Sequence, residues 1–224
     1  MRIRPRFIPL AALAAIASAP FAAQAAESAV YEVTFTPAWT AKSHPVDYPQ
    51  SGLLSSPHFS GIIGTSHGAG YELFKVGRMP SPGLERLSET GKHDPLDAEI
   101  KAAIGKGSAG ALFETAGIKD LGNPVKFTVT VDARNPMVSA VAMIAPSPDW
   151  FAGIGNVNLM ESDGWVVAKT LDVYAYDSGG DDGTTYTADD RDTNPKKATT
   201  ISSAAQFTQA GRKVPVARIS FTRR

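Results

Sequence analysis

This sequence predicts a mainly β fold, an antiparallel β-sandwich with short helical insertions, and three observations carry that reading. Several segments alternate apolar and polar residues with the period of two that a half-buried strand requires. One run, Val138 to Ala145, is nearly all apolar, as a central strand covered on both faces would be. Clusters of Gly, Pro, Asn and Asp separate these segments, and helical spacing is confined to one interval.

At the start, Arg2, Arg4 and Arg6 precede an Ala/Leu/Ile-rich run from Phe7 to Phe21 and the small residues Ala23-Gln24-Ala25. That order reads as a secretory signal peptide over residues 1–25, with 26–224 as one domain. The apolar run is short for a bilayer-spanning helix of roughly 20 residues and is broken by Pro9 and Pro20. Val30 to Thr36 then alternates, with Tyr31, Val33 and Phe35 on one face and Glu32, Thr34 and Thr36 on the other. Pro45 to His58 reads as an irregular loop, and Leu73 to Arg78 as a solvated edge.

Between Ser81 and Gly107 the pattern turns helical. Ser81-Pro82 starts one short helix carrying Leu84 and Leu87. Asp94 as N-cap, with Pro95 at the first helical position, starts a second along Leu96, Ile100, Ala103 and Ile104. Lys126 to Asp132 returns to strand alternation, with Phe127, Val129 and Val131 inward and Thr128, Thr130 and Asp132 sharing the opposite face. Val138 to Ala145, Trp165 to Tyr176 and Val214 to Phe221 complete the strands. Ser178 to Ala198 is a long polar loop whose composition suggests mobility.

Composition excludes several chemistries. The chain of 224 residues has 22 basic and 22 acidic side chains; loss of the three leader arginines makes the remainder weakly acidic. It has no basic stripe interleaved with aromatics, so nucleic acid is not an expected partner. Cysteine is absent, which removes thiol catalysis, disulfide exchange and Cys-ligated zinc. Gly64-Thr65-Ser66-His67-Gly68 satisfies the G-x-S-x-G nucleophile-elbow pattern. That elbow needs a helix behind it and an acid, then a His, downstream. Gly68-Ala69-Gly70 is a poor helix start and only His93 follows, so acyl-transfer chemistry is not expected. His58 and His67 read as hydrogen-bonded scaffold residues, His44 as solvated, and Trp39, Trp150 and Trp165 as core or sheet-edge aromatics.

One feature points to a ligand. Asp149 closes the Pro-punctuated turn Pro146-Ser147-Pro148 beside Trp150, and Asp177-Ser178-Gly179-Gly180-Asp181-Asp182-Gly183 is a second acidic, Gly-rich loop. Ca²⁺ takes about six to eight oxygens from carboxylates, carbonyls and water, and Asp beside Gly in loops supplies both charge and close backbone approach. An EF-hand is excluded: counting from Asp177, the glycine position holds Asp182 and the final Glu position holds Ala188. The ordinary alternative is that Asp149 caps a turn and the loop is a solvated surface.

The wording MIAPSPDWF resembles the spondin domain, the N-terminal module of F-spondin and mindin, which also occurs alone in bacterial proteins. The resemblance runs from Val30 to about Phe221 through Tyr31-Glu32-Val33-Thr34-Phe35, Trp39, His58-Phe59-Ser60, Gly64-Thr65-Ser66-His67, Ser81-Pro82-Gly83-Leu84, Val138-Ser139 and Tyr176-Asp177-Ser178-Gly179. It implies a C2-like β-sandwich, no enzymatic activity, and binding or adhesion outside the cell, in the periplasm or released, to a protein or glycan partner. It also implies a Ca²⁺ site at Asp149 and Asp177, with Asp181 as a further ligand or an orienting group. The family's strand carboxylate falls here on Thr130, and Asp132, two residues on and pointing the same way, is the candidate to replace it, with Thr130 itself or water as the alternative. Animal modules carry cysteines that this chain lacks. The competing readings are a metal-assisted hydrolase and an envelope protein whose metal only stiffens a loop.

Overall fold

The computed structural model describes residues 27–50, 52 and 56–224. The predicted signal peptide at 1–25 lies outside the described residues. Among the described residues, fourteen strands follow: β1 (Ser28–Pro37), β2 (His58–Phe59), β3 (Ile63–His67), β4 (Ala109–Glu114), β5 (Val125–Asp132), β6 (Met137–Ala145), β7 (Trp150–Asn158), β8 (Met160–Glu161), β9 (Gly164–Trp165), β10 (Ala168–Asp177), β11 (Thr200–Ile201), β12 (Thr208–Gln209), β13 (Arg212–Lys213) and β14 (Ala217–Arg223). Helices α1 (Pro82–Thr90) and α2 (Leu96–Gly105) separate β3 from β4.

The main sheet runs β4-β3-β6-β7-β10-β14-β1-β5, with every pairing antiparallel; β2 adds to β6 and β11 to β10. It curls until its two ends meet, so Phe113 of β4 stacks on Phe127 of β5 with ring centroids 5.5 Å apart. The fold is therefore sandwich-like, close to a barrel, as the sequence predicts. Inside the curl, Tyr31, Val33 and Phe35 of β1 meet Val129 and Val131, Ala140, Ala142 and Ile144, Trp150 and Ala152, and Ile219 and Phe221. The alternating faces of these strands put their apolar members on one side, which removes their surface from water.

β6 is the best example of the expected two-sided burial. Its even positions Ala140, Ala142 and Ile144 enter the inner core, while Val141 turns outward beneath Leu84, Leu87, Leu96 and Ile100 of the helices, beside Ile63 and Phe151. The helices thus close the outer face of β3, β6 and β7. Ser81 caps α1 as predicted, its Oγ accepting from Leu84 N at 3.1 Å. The start of α2 differs: Pro95 is the cap residue, no side chain caps it, and the Asp94–Pro95 bond is cis.

Other departures are local. Trp150 to Asn158 is a nine-residue strand where the sequence reads as the end of a turn, and β3 and β4 carry too little alternation to announce themselves. Leu73 and Phe74 are buried, not a solvated edge: Phe74 packs edge-on against Phe151 at 5.2 Å. His44 is buried rather than solvated, its ring 6.1 Å from that of Phe207. Trp39, Trp150 and Trp165 are buried as expected.

Candidate functional site

Asp149 ends the turn between β6 and β7 and is fully buried, with 0% of its surface exposed. Its position follows from the sequence around it: Trp150 and Phe151 enter the two opposite cores, and this fixes the residue before them at the sheet's end. One of its oxygens, Oδ2, accepts from Ser178 Oγ (2.9 Å) and from the backbone N–H groups of Gly179 (2.8 Å), Gly180 (2.8 Å) and Asp181 (3.2 Å). Successive N–H groups converging on one oxygen form an anion-binding nest. The other oxygen, Oδ1, is buried without a hydrogen-bond partner.

The nest is made by the loop after β10. Gly179 sits at φ +88°, a conformation open to glycine, and this lets the chain turn its N–H groups inward. Its N–H also donates to Asp177 Oδ1 at 2.9 Å, so the carboxylates of Asp149 and Asp177 share one donor. Asp177 pairs with Trp150 across β10 and β7. Asp181 is buried, and both of its oxygens are committed to the loop itself: Oδ1 accepts from Gly183 N at 2.5 Å and Oδ2 from Arg191 N at 2.6 Å. The loop expected to be mobile is therefore anchored, further held by Thr193 N on Gly180 O (2.8 Å) and Lys197 N on Gly179 O (2.9 Å).

Negative charge is concentrated here. Burial pushes the Asp149 carboxyl above its ordinary range, against the hydrogen bonds that favour its charged form. Asp177 is pushed up to about 6, by burial and then by the Asp149 charge. A third carboxyl joins them that sequence reasoning missed: Glu89, near the end of α1. It is half-buried, its Oε1 has no hydrogen-bond partner, and it is pushed up to about 7 by burial, then by Asp149, with Asp192, Asp190 and Asp181 adding.

Asp132 is not brought to this place. It is the last residue of β5, at the turn before β6 and one full strand length from Asp149, and its Oδ1 accepts from Arg134 N (2.8 Å) and Asn135 N (3.0 Å). It holds a turn. Thr130, exposed on β5 opposite Val30, is likewise at that far end. Among the described residues, no group of three or more His, Cys, Asp or Glu side chains is gathered tightly enough to hold a metal ion.

The G-x-S-x-G segment lies along strand β3, with no helix directly behind it. Ser66 is buried within β3, and its Oγ accepts from Ala111 N at 2.8 Å. His67 is buried with Nε2 2.8 Å from Ser139 Oγ and Nδ1 2.9 Å from Gly68 O, the contacts of a scaffold residue, and burial lowers its pKa. A groove of about 780 Å³ opens beside the site between Thr90-Gly91, Pro146-Ser147 and Ala188-Asp189-Asp190. No helix among the described residues is long and apolar enough to cross a membrane.

Residues 29–211 match the protein family described as Spondin_N. Human Spondin-2 is 33% identical over 175 residues, covering 77% of this chain and 52% of that protein. Rat Spondin-2 is 30% identical over 204 residues, 86% of this chain and 61% of its own length. Spondin-1 of Xenopus laevis is 30% identical over 210 residues, 88% of this chain but 25% of that protein. The chain thus spans about half the length of the first of these relatives.

Proposed function

The chain belongs to the spondin N-terminal domain family, and from that premise we propose that it is an exported, non-enzymatic binding module whose β6–β7 turn and following loop hold a Ca²⁺ ion through Asp149 and Asp177. The observation that carries the metal reading is the unpartnered Oδ1 of a fully buried Asp149. A buried carboxylate oxygen left without a donor is costly, and a cation is one of the few partners that satisfies it without consuming an N–H group. The nest holds the other oxygen in place, and Asp177, joined to Asp149 by the shared Gly179 N–H, supplies the second charge. Asp181 shapes the loop rather than binding. With few carboxylates available, carbonyls and water complete the shell, a mixture that suits Ca²⁺ better than zinc. When bound, the ion supplies positive charge at the sheet end and a fixed geometry for the loop.

The binding role rests on family membership, on the anchored loop and on the groove beside it, which places Ser147, Thr187, Asp189 and Asp190 at a surface suited to a polar protein or glycan partner outside the cell. The N-terminal 25 residues act as the export signal on this reading. Ca²⁺ titration of the mature chain by calorimetry tests the site: one saturable site lost in Asp149→Asn supports it, and no heat of binding in the wild type overturns it. Retention of a partner on the purified protein with calcium but not with chelator would separate a recognition role from a purely stabilising one.

A further inference from the structure

Two buried carboxylate oxygens lack hydrogen-bond partners at this end of the fold, and they come from different layers. Asp149 Oδ1 belongs to the sheet, and Glu89 Oε1 to helix α1 on its outer face. Both residues meet at Gly180. Its N–H donates to Asp149 Oδ2 at 2.8 Å, and a Cβ added at Gly180 would stand 2.7 Å from Glu89 Oε1. With Oδ2 turned onto the nest, Oδ1 is left for a partner from another direction. The nearby cations are engaged elsewhere: Lys196 pairs with Glu85 one helical turn before Glu89, and Lys197 with Asp182 at 2.6 Å. No ion pair is made by Glu89 among the described residues.

We propose that Glu89 is a third carboxylate of the cation site, so that the bound ion ties helix α1 to the β6–β7 turn and the loop after β10. This rests on the reading of Asp149 as a cation ligand and adds to it a residue of a separate element. The carboxyls are not gathered tightly in the structure, so on this proposal Glu89 moves toward Asp149 when the ion binds. The ion then acts as a clasp between the helical layer and the sheet. It also sets one wall of the groove, because Thr90 and Gly91, which line it, directly follow Glu89.

The test is Ca²⁺ titration by calorimetry, joined to hydrogen exchange of the α1 amides, on the mature chain and its variants. Glu89→Gln should weaken Ca²⁺ roughly tenfold or more, since affinity follows the count of charged ligands. Calcium should slow exchange in α1 of the wild type but not of Glu89→Gln. Glu85→Gln, one turn away and paired with Lys196, should bind as the wild type does. Glu89→Asp keeps the charge but shortens the reach, so it should bind more weakly than the wild type; it also serves if Glu89→Gln does not fold. Wild-type affinity in both Glu89 variants, with binding abolished in Asp149→Asn, overturns the role of Glu89 and leaves the site standing. Absence of calcium binding in the wild type overturns both.

Discussion

Asp149 and Asp177 accept the same hydrogen: the Gly179 N–H lies 2.8 Å from Asp149 Oδ2 and 2.9 Å from Asp177 Oδ1. Two carboxylates from the ends of neighbouring strands are thereby held side by side, at one end of the sheet and under a loop that supplies its own N–H groups to one of them. Like charges this close repel, and the protein reduces the repulsion by burying hydrogen-bond donors with them. The consequences are measurable.

Gly179→Ala should be among the most destabilising single changes in the loop. The φ of +88° is poorly open to alanine, and the new Cβ would be driven into the Lys197 carbonyl oxygen. A loss of at least about 2 kcal/mol in urea unfolding is expected. A change within a few tenths would mean that the nest tolerates rearrangement.

Asp149→Ala should cost about 3 kcal/mol or more in chelator, since three backbone N–H groups and the Ser178 hydroxyl lose a buried acceptor together. Far-ultraviolet circular dichroism should stay that of the wild type at low temperature while the melting temperature falls. Wild-type stability would show that water replaces the carboxylate at little cost.

In chelator, stability should fall as pH rises from about 5 to about 8. The folded-state pKa values of Asp177, about 6, and Glu89, about 7, lie above those of unfolded carboxyls. Over that range the folded chain therefore holds more protons than the unfolded one, and linkage makes folding weaker with increasing pH. The advantage is full below the unfolded pKa and is lost as pH passes the folded values. Glu89→Gln should flatten the upper part of the profile, and a melting temperature that climbs across this range would contradict the assignment.

Ser66→Ala should lose about 1 kcal/mol, because Ala111 N gives up its acceptor. Ser66 should also resist serine-directed phosphonates, since the hydroxyl is buried within β3. Covalent labelling at Ser66 would restore the hydrolase reading.

The sheet was legible where alternation is strong. Tyr31, Val33 and Phe35, and the unbroken run of β6, reveal their burial because strand periodicity maps directly onto faces. β7 was hidden by the prolines before it and by Gly153 and Gly155, which give no side chain to the pattern, although Gly153 lies beneath the ring of Phe74. The site was half legible. Acidic residues beside glycines marked Asp149, Asp177 and Asp181, but Asp132 shares only a strand direction with them and lies at the other end of β6. Glu89 could not be placed, because no pattern along the chain tells which face of α1 meets a loop some ninety residues later. The loop itself looked mobile because its anchors are backbone groups, which composition does not record.

Export is tested by mass. Protein recovered from the producing cells should begin at Ala26, where Ala23-Gln24-Ala25 presents small residues to a signal peptidase. A full-length chain retained in the cytoplasm would contradict it.

The account turns on a cation shared by Asp149 and Asp177, and thermal unfolding of the mature wild type, Asp149→Asn, Asp177→Asn and Asp189→Asn with calcium and with chelator tests it most directly. At calcium about a hundredfold above its dissociation constant, the wild type should gain roughly 2.7 kcal/mol, a shift of several degrees, with magnesium giving less. Asp149→Asn and Asp177→Asn should lose most of that gain, and Asp189→Asn should keep it. If chelator leaves the wild-type curve unmoved and all three variants respond to calcium as it does, the acidic loop is a solvated surface and Asp149 only its anchor.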